Sequence, residues 1–229
     1  MKKIFFSLFL AVFALQACNS QQSMSNDKKA NKSDVMKISD YVKDKKYDKY
    51  AVATFAGGCF WCTEASFERI NGVKDVISGY SGGTKPYPTY EEIGTGRLRH
   101  AEAIQIYYDS DVIDYQKLLE VFFVAHDPTT LNRQGPDRGP QYRSAIYYRT
   151  GKEKALIDAY IKKLDASGKF DNPIVTEVEP YTEFYTAEGY HQDYYELHPN
   201  NSYIANVSRP KVEKVMKEFK DILKDKYKK

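Results

Sequence analysis

The run Gly57-Gly58-Cys59-Phe60-Trp61-Cys62 constrains the fold of this chain more than any other feature. It follows residues 51–56, which are apolar and prone to form a strand, and it precedes a helical pattern that continues to Ile70. Cys59 is therefore predicted where a strand ends and the first turn of a helix begins. Unpaired backbone N–H groups and the helix dipole favour an anion there, and helix N-termini lower the pKa of cysteine thiols. The run predicts thiol chemistry.

Length and charge limit the classes of protein to consider. A chain of 229 residues that is 42% hydrophobic is typical of one globular domain with a sizeable core. The formal net charge of +3 is small, and Lys2 and Lys3 supply two of those charges. Nothing in this charge pattern indicates a nucleic-acid-binding surface. We expect a monomer that binds no nucleic acid.

Residues 1–17 are predicted to be a signal peptide rather than part of the fold. Lys2 and Lys3 are followed by an apolar run, residues 4–15, that is too short to span a bilayer. The run Leu15-Gln16-Ala17-Cys18 resembles the lipobox of bacterial lipoproteins, which implies cleavage before Cys18 and lipidation of its sulfur. An ordinary signal peptide with an incidental cysteine is the alternative. The lipid on Cys18 would anchor the chain in the cell envelope, at the outer membrane or outer surface.

The rest of the chain divides into a tether and one domain. Residues 18–49 are predicted to be a flexible tether, because residues 19–40 lack aromatic side chains and are rich in polar ones. For the highly charged residues 41–49, a short helix is the alternative. The domain, residues 50–229, alternates strand and helix patterns, so we predict an α+β fold, a two-layer α/β sandwich with a ferredoxin-like core of mixed sheet and helices. Strands are predicted at 51–56, 73–80, 101–108, 144–149 and 174–178; helices at 59–70, 114–125, 152–167 and 210–227; long loops at 81–99 and 126–143; and an irregular segment at 181–203.

The spacing of Cys59 and Cys62 fits redox chemistry. Residues three apart on a helix are neighbours, about 5 Å between Cα atoms, which is within disulfide range. Cys59 lies nearer the positive end of the helix dipole and is the predicted nucleophile, while Cys62 is placed to resolve it. A buried inert pair and half of a zinc site are the alternatives. Zinc needs two more ligands, and the four histidines show no metal-site spacing, so no metal is expected.

Two aromatic residues, Phe60 and Trp61, separate the cysteines. Bulky rings beside a nucleophile indicate an apolar pocket for part of a substrate. The alternative is that both rings pack the helix against the sheet. In the latter case they would say nothing about the reaction.

Several motifs together resemble the A-type peptide methionine sulfoxide reductases. The resemblance covers roughly residues 50–205 and implies reduction of methionine S-sulfoxide, free or in proteins, to methionine. It implies no cofactor other than an external reductant such as thioredoxin. The motifs are Gly57-Gly58-Cys59-Phe60-Trp61, Gly79-Tyr80-Ser81-Gly82-Gly83, Pro88-Thr89-Tyr90, His100-Ala101-Glu102, His126-Asp127-Pro128, Gln141-Tyr142-Arg143-Ser144 and Tyr190-His191-Gln192.

The resemblance also implies roles for individual residues. A sulfoxide sulfur becomes electrophilic when its oxygen is protonated, and a carboxyl group with a raised pKa supplies such a proton. Glu102 matches the family's acid; read alone, it also fits a solvated carboxylate on a strand. The remaining matches are Asp137, which orients substrate or pocket, Phe60 and Trp61, which would hold the S-methyl group, and Tyr90, Tyr142 and Tyr194, whose hydroxyls would bind the sulfoxide oxygen or its water.

The chain departs from the common family pattern at the second cysteine. Many members have glycine where Cys62 stands and carry resolving cysteines near the C-terminus, whereas here Asn201-Ser202-Tyr203-Ile204 occupies that region. Attack on a sulfoxide would leave a sulfenic acid on Cys59, which Cys62 converts to a disulfide for an external dithiol to reduce. A general thiol–disulfide oxidoreductase and a non-enzymatic surface lipoprotein that binds partners through its tyrosines remain as alternatives.

Overall fold

A computed structural model describes residues 34–43, 45 and 47–228 of the chain. The predicted signal peptide, Cys18 and most of the predicted tether lie outside these residues. The strands are β1 (Ala51–Gly57), β2 (Val73–Ser81), β3 (Ala101–Tyr108), β4 (Arg133–Gln134), β5 (Asp137–Arg138), β6 (Ser144–Tyr148), β7 (Glu177–Pro180) and β8 (Phe184–Thr186). The helices are α1 (Ile38–Val42), α2 (Phe60–Glu68), α3 (Tyr90–Gly94), α4 (Tyr115–Ala125), α5 (Gly151–Ala166), α6 (Tyr194–Leu197) and α7 (Arg209–Glu218).

Six strands form one mixed sheet in the order β7-β6-β1-β3-β2-β8. The β6–β7 pair is parallel, and every other neighbouring pair in this sheet is antiparallel. The prediction of an α+β domain with a mixed sheet and helices is confirmed. The two central strands, β1 and β3, bring the cysteine run and Glu102 to the same end of the sheet, because Phe55 pairs with Ile104.

Alternation along β3 divides the core between the two faces of the sheet. Ile104 and Ile106 belong to a large cluster with the helices, whereas Ala103 and Tyr107 belong to a second cluster on the other face. This is the two-residue period expected of a strand. The sequence pattern of β3 predicts it correctly.

The helix face carries α2, α4 and α7, which pack on one another and on the central strands. Phe55, Phe67 and Phe122 are completely buried there. Helix α4 begins as predicted, because the Asp114 side chain caps it by accepting from the backbone N–H of Lys117 at 2.7 Å. The described residues include no helix with the length and apolar content needed to cross a membrane.

The opposite face of the sheet is covered by a segment that the sequence assigns to the tether. Val35 and Ile38 are 4% and 6% exposed, and the ring of Tyr47 stacks on that of Tyr107 at 4.3 Å. The predicted domain boundary at residue 50 is therefore wrong, because ordered packing begins by Val35. This face of the sheet is lined by small side chains, including Ala56, and a few apolar residues among the lysines suffice to cover it.

The predicted loops contain short elements that their composition obscures. Segment 81–99 includes α3, which starts with a capping box in which Thr89 and Glu92 each accept from the other's backbone N–H. Segment 126–143 contains the β4–β5 pair and a 3₁₀ turn. A two-residue strand has too few positions to show a period, so sequence patterning cannot detect it.

The C-terminal part differs from the predicted elements in its boundaries. The strand expected at 174–178 is β7, which begins three residues later, and the edge strand β8 lies inside the segment predicted as irregular. The helix expected at 210–227 ends at Glu218 and is followed by two 3₁₀ turns. It is preceded by the π-helical turn Ile204–Ser208.

Candidate active site

The turn between β1 and α2 fixes the position of the first cysteine. Gly58 has a φ of +86°, and a Cβ atom there would lie 2.4 Å from Cγ of Gln134, so only glycine fits without displacing its neighbour. Cys59 follows as the N-cap residue of α2, with extended backbone, and Cys62 lies in the first turn of the helix. The structure thus places Cys59 one residue before the helix rather than within its first turn.

Glu102 lies on β3 and points to the helix face, like Ile104. It is 2% exposed, and its Oε2 accepts from the backbone N–H of Phe60 at 3.2 Å. Burial raises the pKa of Glu102 to about 8, helped by the nearby charges of Asp137 and Cys62 and opposed by the Phe60 N–H. Glu102 is therefore not a solvated strand carboxylate. It is protonated at neutral pH and can donate a proton.

Cys59 is a buried thiol, and this corrects one expectation from the sequence. It is 5% exposed. Burial raises its pKa well above the ordinary value, and a hydrogen bond with the thiol of Cys62 and the charge of Glu102 raise it further. A hydrogen bond from Tyr203 acts in the opposite direction. The helix N-terminus alone predicts a lowered pKa, but desolvation of the side chain outweighs it.

Cys62 has a different environment on the same turn. Its thiol donates to Oγ of Ser208 at 3.2 Å. The hydrogen bond with Cys59 lowers the pKa of Cys62, and Lys211 and Ser208 lower it further against the opposing effect of burial. Both thiols are free, and the structure brings the two predicted redox residues together.

Tyr90 and Tyr142 bring their hydroxyls to Glu102. Tyr90 is the first residue of α3, and Tyr142 ends the 3₁₀ turn Pro140–Tyr142. The two side chains share a hydrogen bond. Burial raises the pKa of both hydroxyls, and the charges of Glu102 and Cys59 add to the effect. Both remain protonated donors beside the carboxyl group.

The third hydroxyl beside the thiol belongs to Tyr203, which the sequence analysis does not select. Tyr203 donates to Oδ2 of Asp137, and its hydroxyl is also within hydrogen-bond reach of Cys59, where it could donate instead when that thiol is ionised. Tyr194, which was selected, stacks on the indole of Trp61 at 3.9 Å, and its hydroxyl accepts from Asn201. A tyrosine among 20 in the chain carries no pattern that would single it out.

The aromatic residues between the cysteines have separate positions. Phe60 is fully buried, with its ring 5.0 Å from that of His191. Trp61 is half-buried, and its Nε1 donates to Nδ1 of His191 at 3.1 Å. The rings of Tyr194 and Tyr203 lie against its face and edge. Trp61 is therefore fixed by contacts with two tyrosine rings and remains partly exposed, whereas Phe60 is buried in the core.

The buried side chain of Glu188 links two tyrosines of the site through hydrogen bonds, and the sequence analysis does not select it. It accepts from the Tyr80 hydroxyl at 2.8 Å and from the backbone N–H of Tyr90 at 2.9 Å. His191 lies next to it, and burial lowers the pKa of His191 to about 3, so this ring is neutral. The Trp61 N–H can only donate, so Nδ1 accepts and the proton is on Nε2.

The histidine of another matched motif has a structural role. His126 bonds the carbonyl of Phe122 and the hydroxyl of Ser144, each at 2.7 Å. Burial lowers its pKa to about 4. Among the residues described, no group of three or more histidine, cysteine, aspartate or glutamate side chains is arranged to hold a metal ion.

The fold and the site together are those of a thiol-based redox enzyme, in which two free cysteine thiols lie beside a protonated carboxyl group. The sequence model of the family "Peptide methionine sulfoxide reductase" matches residues 51–223. A peptide methionine sulfoxide reductase MsrA of Natronomonas pharaonis is 52% identical over 74% of this chain and 95% of its own length. One of Thermus thermophilus is 48% identical over 76% and 97%. This chain belongs to the peptide methionine sulfoxide reductase family.

Solved structures agree with this assignment. Reduced Mxr1 of Saccharomyces cerevisiae superposes with a TM-score of 0.60 at 36% identity, covering 67% of this chain and 88% of that one. Methionine sulfoxide reductase A of Corynebacterium diphtheriae gives 0.59 at 35%, covering 66% and 76%.

Proposed function

We propose that this enzyme reduces methionine S-sulfoxide, in proteins and free, to methionine, with Cys59 as the nucleophile. The observation that carries the proposal is the pairing of a buried thiol with a carboxyl group, Glu102, that is protonated at neutral pH. A thiol needs such an acid to attack a sulfoxide, because protonation of the oxygen makes the sulfur electrophilic and weakens the sulfur–oxygen bond. Family membership and the printed names of the relatives support the same reaction.

The first half-reaction balances with the groups present. The sulfoxide oxygen accepts the proton of Glu102 and hydrogen bonds from Tyr90 and Tyr142. Sγ of Cys59 attacks the sulfoxide sulfur and bonds to it. The hydroxyl then moves from the substrate sulfur to Sγ while the bond between the two sulfur atoms breaks, so methionine leaves and Cys59 carries a sulfenic acid. The thiol proton of Cys59 restores Glu102. A sulfoxide and a thiol have become a thioether and a sulfenic acid.

The substrate's methyl group and oxygen would occupy different sides of the thiol. The indole of Trp61, supported by Tyr194, offers an apolar surface, while Glu102 and the tyrosine hydroxyls offer donors. Asp137 holds Tyr203 and so orients the hydroxyl that bonds Cys59. A sulfoxide sulfur is chiral, so a site with one apolar and one donor side accepts one epimer.

In the second half-reaction Cys62 resolves the sulfenic acid. The Cys62 thiolate attacks Sγ of Cys59, a proton joins the departing hydroxyl, and water leaves as the disulfide forms. A thioredoxin-type dithiol would then reduce the disulfide by exchange. The hydrogen bond between the two thiols supports this pairing, since the sulfur atoms are already neighbours.

The decisive experiment is a single turnover with separated epimers. The reduced full-length chain is mixed with methionine S-sulfoxide or R-sulfoxide without an external reductant, and methionine and free thiols are counted. We expect one methionine per chain from the S epimer with loss of two thiols, and none from the R epimer. No methionine from either epimer, with thiols intact and unrelated disulfides reduced rapidly, would instead favour the general thiol–disulfide oxidoreductase.

We also propose that the enzyme acts in the cell envelope, anchored by lipid on Cys18, where it repairs oxidised exported proteins. The lipobox-like run supports this proposal. Cells given labelled palmitate should incorporate label into the wild-type chain but not into Cys18→Ser, and only the wild type should fractionate with membranes. Equal release of both chains in soluble form would refute the anchor without affecting the proposed reaction.

A further inference from the structure

One cation near the two cysteines has no hydrogen-bond partner in the part of the chain that the structure describes. Nζ of Lys211 is buried and bonds to none of these residues. An unpaired ammonium away from water is unfavourable, so such a group normally meets an anion. The nearby ring of His126 does not accept from it, because its two nitrogens bond Phe122 and Ser144.

The position of Lys211 on its helix directs it to Cys62. Ser208 ends the π-helical turn Ile204–Ser208, and α7 follows without interruption. Residues three apart on a helix lie on one face, so Lys211 shares the face of Ser208, whose Oγ bonds the thiol of Cys62. π-Helical turns of this kind are often found at functional sites.

The two sulfur atoms have different polar neighbours. Cys59 faces Glu102, while Cys62 faces Ser208 and Lys211. Asp137 acts on Cys62 in the opposite direction to Lys211, and Tyr203 also lies close to both thiols. The titratable groups that interact with Cys62 are Cys59, Glu102, Asp137, Tyr203 and Lys211. The charged side chains of Asp127, Lys169, Asp171 and Lys214 line the cavity that Lys211 shares, but none of them hydrogen-bonds its Nζ.

We propose that Lys211 is a positioning residue for the resolving step: its ammonium pairs with the Cys62 thiolate. The proposal rests on the proposed function, since it presupposes the Cys59–Cys62 disulfide. The ion pair would assist two steps, formation of that disulfide and its reduction. Cys62 first attacks the Cys59 sulfenic acid as a thiolate, and a proton and hydroxide leave as water. When an external dithiol attacks Sγ of Cys59, the disulfide breaks and Cys62 departs as the stabilised thiolate. The second thiol of the dithiol then releases Cys59.

The consequence is a preference for one sulfur of the disulfide. Exchange proceeds faster when the departing thiol has the lower pKa, and the structure lowers the pKa of Cys62 and raises that of Cys59. The external thiol is therefore directed to Cys59, on the substrate side of the helix. The mixed disulfide forms on the same sulfur that carries the sulfenic acid.

The test separates the two half-reactions. Lys211→Met removes the charge and keeps the apolar stem, and Lys211→Arg restores a cation. The matched control is Lys214→Met, because Lys214 lies one turn further on α7 and lines the same cavity of about 390 Å³ as Lys211 but is exposed. Each full-length chain is given one equivalent of methionine S-sulfoxide. Methionine and remaining thiols are measured over time from acid to alkaline pH.

We expect Lys211→Met to form methionine at the wild-type rate but to close the disulfide about threefold to tenfold more slowly below neutral pH. That range follows from a pKa increase of about one unit, partly offset by a more nucleophilic thiolate. The pH profile of closure should move upward, and reduction by dithiothreitol should slow as well. Lys211→Arg should recover and Lys214→Met should match wild type.

Two results would overturn the proposal. One is closure by Lys211→Met at the wild-type rate with an unchanged pH profile. The other is an equal loss of both half-reactions without a profile shift, which marks a purely structural lysine. Wild-type chains that form no methionine would refute the proposed function itself.

A second measurement decides the matter without catalysis if Lys211→Met folds poorly. The Cys62 thiolate is titrated by its ultraviolet absorbance in Cys59→Ser, alone and combined with Lys211→Gln or Lys211→Arg. We expect the pKa of Cys62 to rise above its value in Cys59→Ser when glutamine removes the charge and to keep that value when arginine retains it. The same pKa in all three chains would contradict the pairing.

Discussion

The two cysteines lie one helical turn apart, yet their surroundings are built from different parts of the chain. The Cys59 side rests on the sheet: Glu102 comes from β3, and its register is fixed by the pairing of β1 with β3. The Cys62 side rests on the C-terminal helix, through Ser208 and Lys211. One side supplies proton donors, and the other supplies a hydroxyl and a cation.

This difference predicts that the two proposed half-reactions can be changed separately. In the proposed reaction, substrate chemistry would depend on Glu102 of β3 and on hydroxyls from α3 and a 3₁₀ turn. Resolution would depend on residues of a π-helical turn and of the helix that follows it. A family member that places its resolving cysteine elsewhere could keep the first side and replace the second. Four substitutions test this division, in order of decreasing effect.

Replacing the nucleophile should abolish both half-reactions. Cys59→Ser keeps the volume and removes the sulfur, so methionine formation should fall by about 10⁴-fold or more. The measurement is methionine released from the S epimer in a single turnover. Methionine formation by Cys59→Ser at an appreciable fraction of the wild-type rate would place the nucleophile elsewhere.

Removing the second thiol should affect only the Cys62 side. Cys62→Ser should release about one methionine per chain and then stall when thioredoxin supplies the electrons, because no disulfide forms. Burst amplitude and steady-state rate are measured in one time course. Sustained turnover of this variant with a protein dithiol would contradict the resolving role of Cys62. The two half-reactions would then not depend on separate parts of the site.

Removing the acid should affect only the Cys59 side. Glu102→Gln retains an acceptor for the Phe60 N–H but carries no acidic proton, so the first step should slow by about 10²- to 10³-fold. In wild type the step should decline as pH rises through about 8, where Glu102 loses its proton. The variant should lack this decline. Glu120→Gln, at a partly exposed position of α4, is the matched control; a decline retained in Glu102→Gln would assign it to another group.

The smallest effect is expected from the hydroxyl that lies between the two sides. Tyr203→Phe removes the bonds to Asp137 and Cys59 while keeping the ring against Trp61. We expect a loss of about tenfold in the first step, equivalent to about 1.4 kcal/mol. Tyr160→Phe, on α5, is the control for a tyrosine remote from the thiols. A larger decrease in the rate of disulfide formation than in the rate of methionine formation would assign Tyr203 to the resolving step instead.

The sequence predicts the Cys59 side better than the Cys62 side. Strand alternation places Glu102 on the face of Ile104, and the cysteine run marks the turn, because both are local patterns. The bond between Cys62 and Ser208 joins residues 146 positions apart, and no periodicity links them. The pKa of Cys59 was predicted in the wrong direction, since a helix terminus is visible in the sequence whereas burial of the side chain is not.

The same limit applies at the N-terminus. Composition assigns residues 35–49 to a tether, because charged and polar residues outnumber the apolar ones. What decides their structure is an alanine-rich sheet face that leaves room for Ile38 and Tyr47. A pattern within the segment cannot reveal a surface that is made by strands far along the chain.

This packing has a consequence for the edge of the sheet that leads to the site. Lys37 pairs antiparallel with Tyr185 of β8, and Met36 and Thr186 bond through their backbones. β8 leads directly to Glu188, which holds the backbone N–H of Tyr90. The N-terminal segment therefore acts as a brace on the strand from which Glu188 reaches the tyrosines.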